Sequence, residues 1–138
     1  MVVVAFAVPR EVAFDYLVDP RHRPEWQSSL ARVEHVDGQV QVGQTWVDVT
    51  RPGFRPRMET TELDRPRRWS ERGTWHGLTA VLTLDFAEAP GGCEVTATMS
   101  VTGRGAAALP ARVLGALAPR AVGADLRRAA SRLTSRPW

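Results

Sequence analysis

The sequence predicts an α+β fold, one antiparallel sheet of about seven strands followed by a long C-terminal helix. Three observations predict it. From Leu30 onward, six runs of residues show a period of two. Between them stand short turn-forming clusters: Asp37-Gly38, Pro52-Gly53, Asp64-Arg65-Pro66, Gly77 and Pro90-Gly91-Gly92. After Gly105 the apolar spacing becomes that of a helix.

The first element is a short strand in which Val2, Val4, Phe6 and Val8 alternate before Pro9 closes it. Proline suits the first turn of a helix, so PREVAFDYL starts one, ending near Asp19-Pro20. The next segment, VDPRHRPEWQ, is spelled for neither a long helix nor a strand, because each proline removes a backbone donor. One helical turn with Pro24 near its start and Trp26 inside is expected there. The predicted strands are then Leu30 to Val36, Gln44 to Thr50, Arg57 to Leu63, Arg68 to Thr74, Thr79 to Phe86 and Cys93 to Thr102. In the last strand Cys93, Val95, Ala97, Met99 and Val101 share the apolar face, and in the strand before it Leu82, Leu84 and Phe86 do. By the same parity Trp69, Glu71 and Trp75 lie together, opposite Arg68, Ser70 and Arg72.

The C-terminal helix carries two apolar stripes, Leu109/Val113/Leu117 and Val122/Leu126/Ala129/Leu133. At about 100° per residue they are out of phase by roughly half a turn. Pro119 sits where the phase slips, so a kink or break is expected there.

The 138 residues suit a single domain spanning 1–138, with no internal repeat or linker. The single cysteine, Cys93, excludes an internal disulfide, and three scattered histidines without ligand spacing argue against a metal site. The apolar opening MVVVAFAV is too short for a signal peptide or membrane span, which points to a cytoplasmic protein. No phosphate loop and no set of nucleophile, base and orienting group is present, and no cofactor is expected. All 18 basic residues are arginine. From Arg104 onward seven arginines (104, 112, 120, 127, 128, 132, 136) face one acid, Asp125, whereas the rest of the chain is net acidic. That basic helix could approach an acidic partner or a membrane surface. Aromatics needed to stack bases are not interleaved with it, so no nucleic acid is expected.

The order of elements, together with D-P-x-x-x-P-x-W at Asp19-Pro20-Arg21-His22-Arg23-Pro24-Glu25-Trp26, resembles the polyketide cyclase/dehydrase branch of the START-related, helix-grip (SRPBCC) superfamily. Val42-Gly43 entering a strand, Glu62 to Trp69 at a hairpin, Gly91-Gly92 before the last strand and Ala124-Asp125-Leu126 in the terminal helix match as well. The resemblance implies a curved sheet gripping the helix, with a deep cavity between them. Family members bind lipids, hormones, quinones or polyketides there, and a few catalyse cyclisation or dehydration. The chain departs from the pattern in its short first strand and in Pro119.

The expected function is therefore binding of a hydrophobic or aromatic small molecule. The candidate ligand-binding residues are Trp26, Trp46, Trp69, Glu71, Trp75, Leu84, Met99, Val113 and Leu117. Trp26 is expected to plug one end of the sheet; for Trp46, Val47 and Val49 compete for the inner face. Polyketide aromatase/cyclase or dehydrase activity is the first alternative, with Glu71 and Tyr16 as candidate proton-handling groups. A buried Glu71 would have a raised pKa; its other reading, shared by an inward Asp48, is pairing with an arginine such as Arg57 or Arg72. The second alternative is an interaction protein using the basic helix.

Overall fold

The computed structural model describes residues 1–134, so Arg136 lies outside the described residues. Seven antiparallel strands form one sheet: β1 (Val2–Phe6), β2 (Leu30–Asp37), β3 (Thr45–Thr50), β4 (Arg57–Asp64), β5 (Arg68–Trp75), β6 (Leu78–Ala89) and β7 (Gly92–Gly103). Their spatial order is β1-β7-β6-β5-β4-β3-β2, a meander whose last strand returns to pair with the first. Between β1 and β2 run α1 (Arg10–Val18), a 3-10 turn (Pro20–His22) and α2 (Arg23–Trp26); α3 (Ala108–Thr134) ends the described chain. The α+β architecture and nearly every expected boundary are thus observed.

The prolines explain the two short helices. Pro9 precedes the first residue of α1, where a missing donor costs nothing, and Pro24 is the second residue of α2, where the N–H likewise has no partner within the helix. Asp19 caps the 3-10 turn by accepting from the Arg21 N–H at 3.0 Å. At the closing seam between β1 and β7, Gly92 has φ 159°, and a Cβ there would lie 1.9 Å from the Phe6 carbonyl oxygen. Only glycine lets the sheet close at this point.

Strand register defines the inner face in rows. Trp69, Leu84 and Ala97 stand side by side, then Glu71, Leu82 and Met99, then Gly73, Ala80 and Val101, and last Trp75 and Leu78. The parity read from the sequence is the parity of the sheet. β4 and β3 extend the face with Thr60 beside Glu71, Met58 beside Gly73, and Trp46 beside Met58.

α3 crosses this face principally over β7 and β1. It runs through Pro119 as one continuous α-helix, so of the kink or break expected there the break does not occur. Proline leaves the carbonyl four residues earlier without its donor; here that residue is Gly115, which lies against the Val101 side chain. The buried stripe is Ala111, Ala118, Leu126, Ala129 and Leu133, with Gly123 so close to Val2 that a Cβ would sit 3.1 Å from it. Small residues let the helix lie low on the sheet. The Leu109/Val113/Leu117 stripe is rotated about half a turn from this contact and is 70%, 53% and 57% exposed.

Candidate functional site

Two inward acids on the sheet need a cation, and α2 supplies it. Arg23, in the first turn after the 3-10 bend, is buried together with Asp48 of β3 and Glu71 of β5. Its Nη1 donates to Glu71 Oε2 at 2.8 Å; its Nη2 donates to Asp48 Oδ2 at 3.0 Å and to Glu71 Oε1 at 3.3 Å. A further contact reaches Gln27 Oε1 at 3.3 Å. The guanidinium carbon lies 5.3 Å from the centroid of the Trp46 ring, while the Trp46 indole N–H donates to the other Asp48 oxygen at 2.9 Å. One cation and two carboxylates leave the group acidic by one charge when both acids are ionised.

Burial pushes the Glu71 pKa up, and Asp48 adds to the rise; Arg23 opposes it. For Arg23, burial disfavours the charge, but Asp48 and Glu71 outweigh it and raise its pKa. The arginine is therefore permanently charged, and burial pushes Glu71 toward its protonated form. Pairing of Glu71 with an arginine is observed, but the partner is Arg23. Arg72 points to the outer face and pairs with Glu59 at 3.2 Å, and Arg57 occupies the same outward parity.

The spelling of Val18 to Gln27 follows from this site. The two prolines hold a single turn that delivers Arg23 and Trp26 to the interior together. Trp26 is 2% exposed in the core, and its backbone carbonyl accepts from Arg128 Nη1 at 3.1 Å, tying α2 to α3. Trp46 wins the inner position over Val47, next to Asp48 on the same parity.

Of the remaining candidates, Trp69 and Leu84 are fully buried core residues. Trp75 is half-buried at the far end of the same face, with its ring 4.6 Å from that of Phe54 and 4.4 Å from that of His76. Met99 is partly exposed between these two regions. Val113 and Leu117 are not brought to the tryptophans, because they occupy the helix face turned away from the sheet. Tyr16 donates its hydroxyl to Glu25 at 3.0 Å and stacks on His22, within the α1–α2 cluster. Cys93 is buried and its pKa is pushed up to about 11, chiefly by burial, which keeps it an unreactive thiol. The surface arginines of the sheet are mostly paired: Arg68 with Glu62 and Asp85, Arg67 with Asp64, Arg55 with Glu34.

Two hollows stand out. The larger, about 420 Å³, is a surface groove between the first turn of α1 and the β6–β7 turn, lined by Val8, Pro9, Arg10, Glu11, Glu88 and Gly92. The other, between α3 and the sheet, is lined by Val2, Ala97, Met99, Pro119 and Val122 and holds about 20 Å³, room for one water. Neither is walled by a tryptophan. Where a deep cavity was expected, the low-lying helix and the three buried indoles Trp26, Trp46 and Trp69 fill the space. Among the described residues, the inner face is also partly exposed at the Trp75 end. There Trp75, Leu78 and Ala80 point inward yet are only partly buried, because α3 lies over β7 and β1 rather than over the ends of β5 and β6; Val101, on β7, borders them beside Gly115 of α3.

A family model described as polyketide cyclase/dehydrase and lipid transport matches residues 2–136. The chain belongs to this family. Solved structures agree on the fold. Protein MLL2253 from Mesorhizobium loti is 16% identical with a TM-score of 0.77, over 99% of this chain and 97% of that one. Ara h 8.0201 is 16% identical with a TM-score of 0.75, over 97% and 95%. DynU16, a putative protein in the dynemicin biosynthetic locus, is 16% identical with a TM-score of 0.72, over 97% of this chain and 46% of that one. No curated protein matches. Among the described residues no helix is long and apolar enough to cross a membrane.

Proposed function

We propose that the protein binds a hydrophobic small molecule, polyketide-, lipid- or quinone-like, against the uncovered end of its concave sheet. The observation that carries this reading is the set of inward apolar residues Trp75, Leu78 and Ala80, left partly exposed, with Val101 and Met99 beside them. Inward sheet positions of a well-packed domain are normally covered, and an apolar recess with an indole wall is what a greasy ligand needs. Membership of a cyclase and lipid-transport family supports the same chemistry. Trp75 is the natural reporter. Saturable quenching of its fluorescence by one member of a polyketide, fatty-acid and quinone panel is expected. Ala80→Trp, which fills the strip beside Leu78 and Val101, should then weaken that ligand by about ten-fold or more in calorimetry. Equal affinity in the variant would remove the assignment to this end of the sheet.

The cyclase reading is favoured by one feature, the raised pKa of Glu71 on the inner face. A carboxylic acid there could donate a proton to a carbonyl oxygen during ring closure, with Arg23 holding the enolate charge. Both Glu71 oxygens accept from Arg23 in this structure, so a substrate must displace part of that contact. Turnover of a poly-ketone by the wild type, abolished in Glu71→Gln, would establish it.

A further inference from the structure

The outer face of α3 combines exposed apolar residues with arginines. Leu109, Val113 and Leu117 follow one another at four-residue spacing, a straight line of about 12 Å, all more than half exposed. Pro110 and Leu114 flank the line and are exposed too. Continued down the same side of the helix, the line meets Arg120 and Arg127, while Arg112 stands at its flank and Arg104 just before the helix. Among the described residues Arg112, Arg120 and Arg127 have no ion-pair partner. The one acid of the helix, Asp125, is engaged by Arg128 at 3.2 Å and by Ser28 at 3.3 Å. On the sheet the opposite holds, and most arginines are matched by acids.

We propose that this face docks on an anionic lipid surface, independently of what the concave sheet binds. Charge chooses the occupant: a run of unmatched guanidinium groups fits phosphate-bearing headgroups, which arginine contacts through paired donors. Size supports the same choice. Five exposed apolar side chains offer a patch of a few hundred Å², short of the roughly 800 Å² per partner that a stable protein interface needs. A shallow apolar strip with arginines alongside is instead the pattern of a helix lying in the headgroup layer. No insertion across the bilayer is implied, since α3 has neither the length of apolar residues nor the hydropathy to span it.

The test is cosedimentation of the full chain with vesicles of phosphatidylcholine alone and of phosphatidylcholine mixed with phosphatidylglycerol. Binding to the mixed vesicles only, weakened by high salt, is expected. Val113→Ser with Leu117→Ser, and separately Arg120→Gln with Arg127→Gln, should each lower the bound fraction's affinity by about ten-fold or more while leaving the circular dichroism unchanged. No wild-type binding to the mixed vesicles, equal binding to both compositions, or unaltered binding by both double variants overturns the proposal. So does a lipid-free dimer in sedimentation equilibrium that Val113→Ser with Leu117→Ser dissociates, which would assign the strip to a second copy. Ligand quenching of Trp75 is untouched by these substitutions, so failure here and failure of the ligand reading are separate results.

Discussion

The two halves of α3 are made of similar residues and meet opposite fates. Beyond Pro119 the helix buries Leu126, Ala129 and Leu133 against the sheet; before it, Leu109, Val113 and Leu117 stand in solvent. Both halves touch the sheet, yet the first does so through Ala111, Gly115 and Ala118. Small residues on the contact line bring the backbone down and turn the large ones outward. Apolar content alone therefore does not say which face of a helix is core. The side with the smallest atoms approaches most closely, and burial follows the approach.

Predictions can break this contrast or sharpen it. The largest effect belongs to the buried cluster that α2 caps on the sheet. Arg23→Ala leaves two buried carboxylates without their cation and should cost about 3–5 kcal/mol in urea unfolding. A loss below about 1 kcal/mol would show that the cluster is wetter than its burial indicates. Next, Leu126→Ala should cost about 2–4 kcal/mol, whereas Leu117→Ala, on the exposed stripe, should stay within about 0.5 kcal/mol of wild type. Equal costs would mean that the first half is covered in solution. At the boundary, Pro119→Ala restores a donor for the Gly115 carbonyl and should raise stability by about 1 kcal/mol, read as a higher Tm. A lower Tm would show that the proline is needed for the helix's path.

The smallest effect is one of pH. The Glu71 pKa is raised above its ordinary 4.5, mainly by burial. The folded state therefore retains that proton longer than the unfolded state. Its contribution to stability is complete below the unfolded pKa and is lost as pH rises through the folded one. The stability of wild type relative to Glu71→Gln should accordingly decline as pH is raised from about 4.5. Denaturation curves at a series of pH values check this, and a difference that grows with pH would reverse the assignment.

Much of this was legible in the chain. Alternation located all seven strands, and parity put Trp69, Glu71 and Trp75 on one face, because a strand's period is a local property. Asp48 and Glu71 were both recognised as inward acids, yet the partners considered, Arg57 and Arg72, share the outward parity. Arg23 was missed. It lies among Arg21, His22 and Glu25, a spelling that reads as a solvated loop, and its signal was indirect: two inward carboxylates require one inward cation, and the adjacent Trp26 marks that turn as buried. The half-turn phase slip in α3 was visible too. Which of its two stripes would be packed was not, since that depends on where the helix crosses the sheet.

The sequence by itself determined the order of elements, the face each strand residue takes and the turn that carries Arg23 and Trp26, all of which follow from local spacing and from proline and glycine chemistry. The tertiary structure alone decided that the concave face is filled at one end and only partly covered at the other. That outcome depends on how low and over which strands α3 settles, a distance set jointly by Gly115, Gly123 and Val2, residues far apart in the chain that meet only once it has folded.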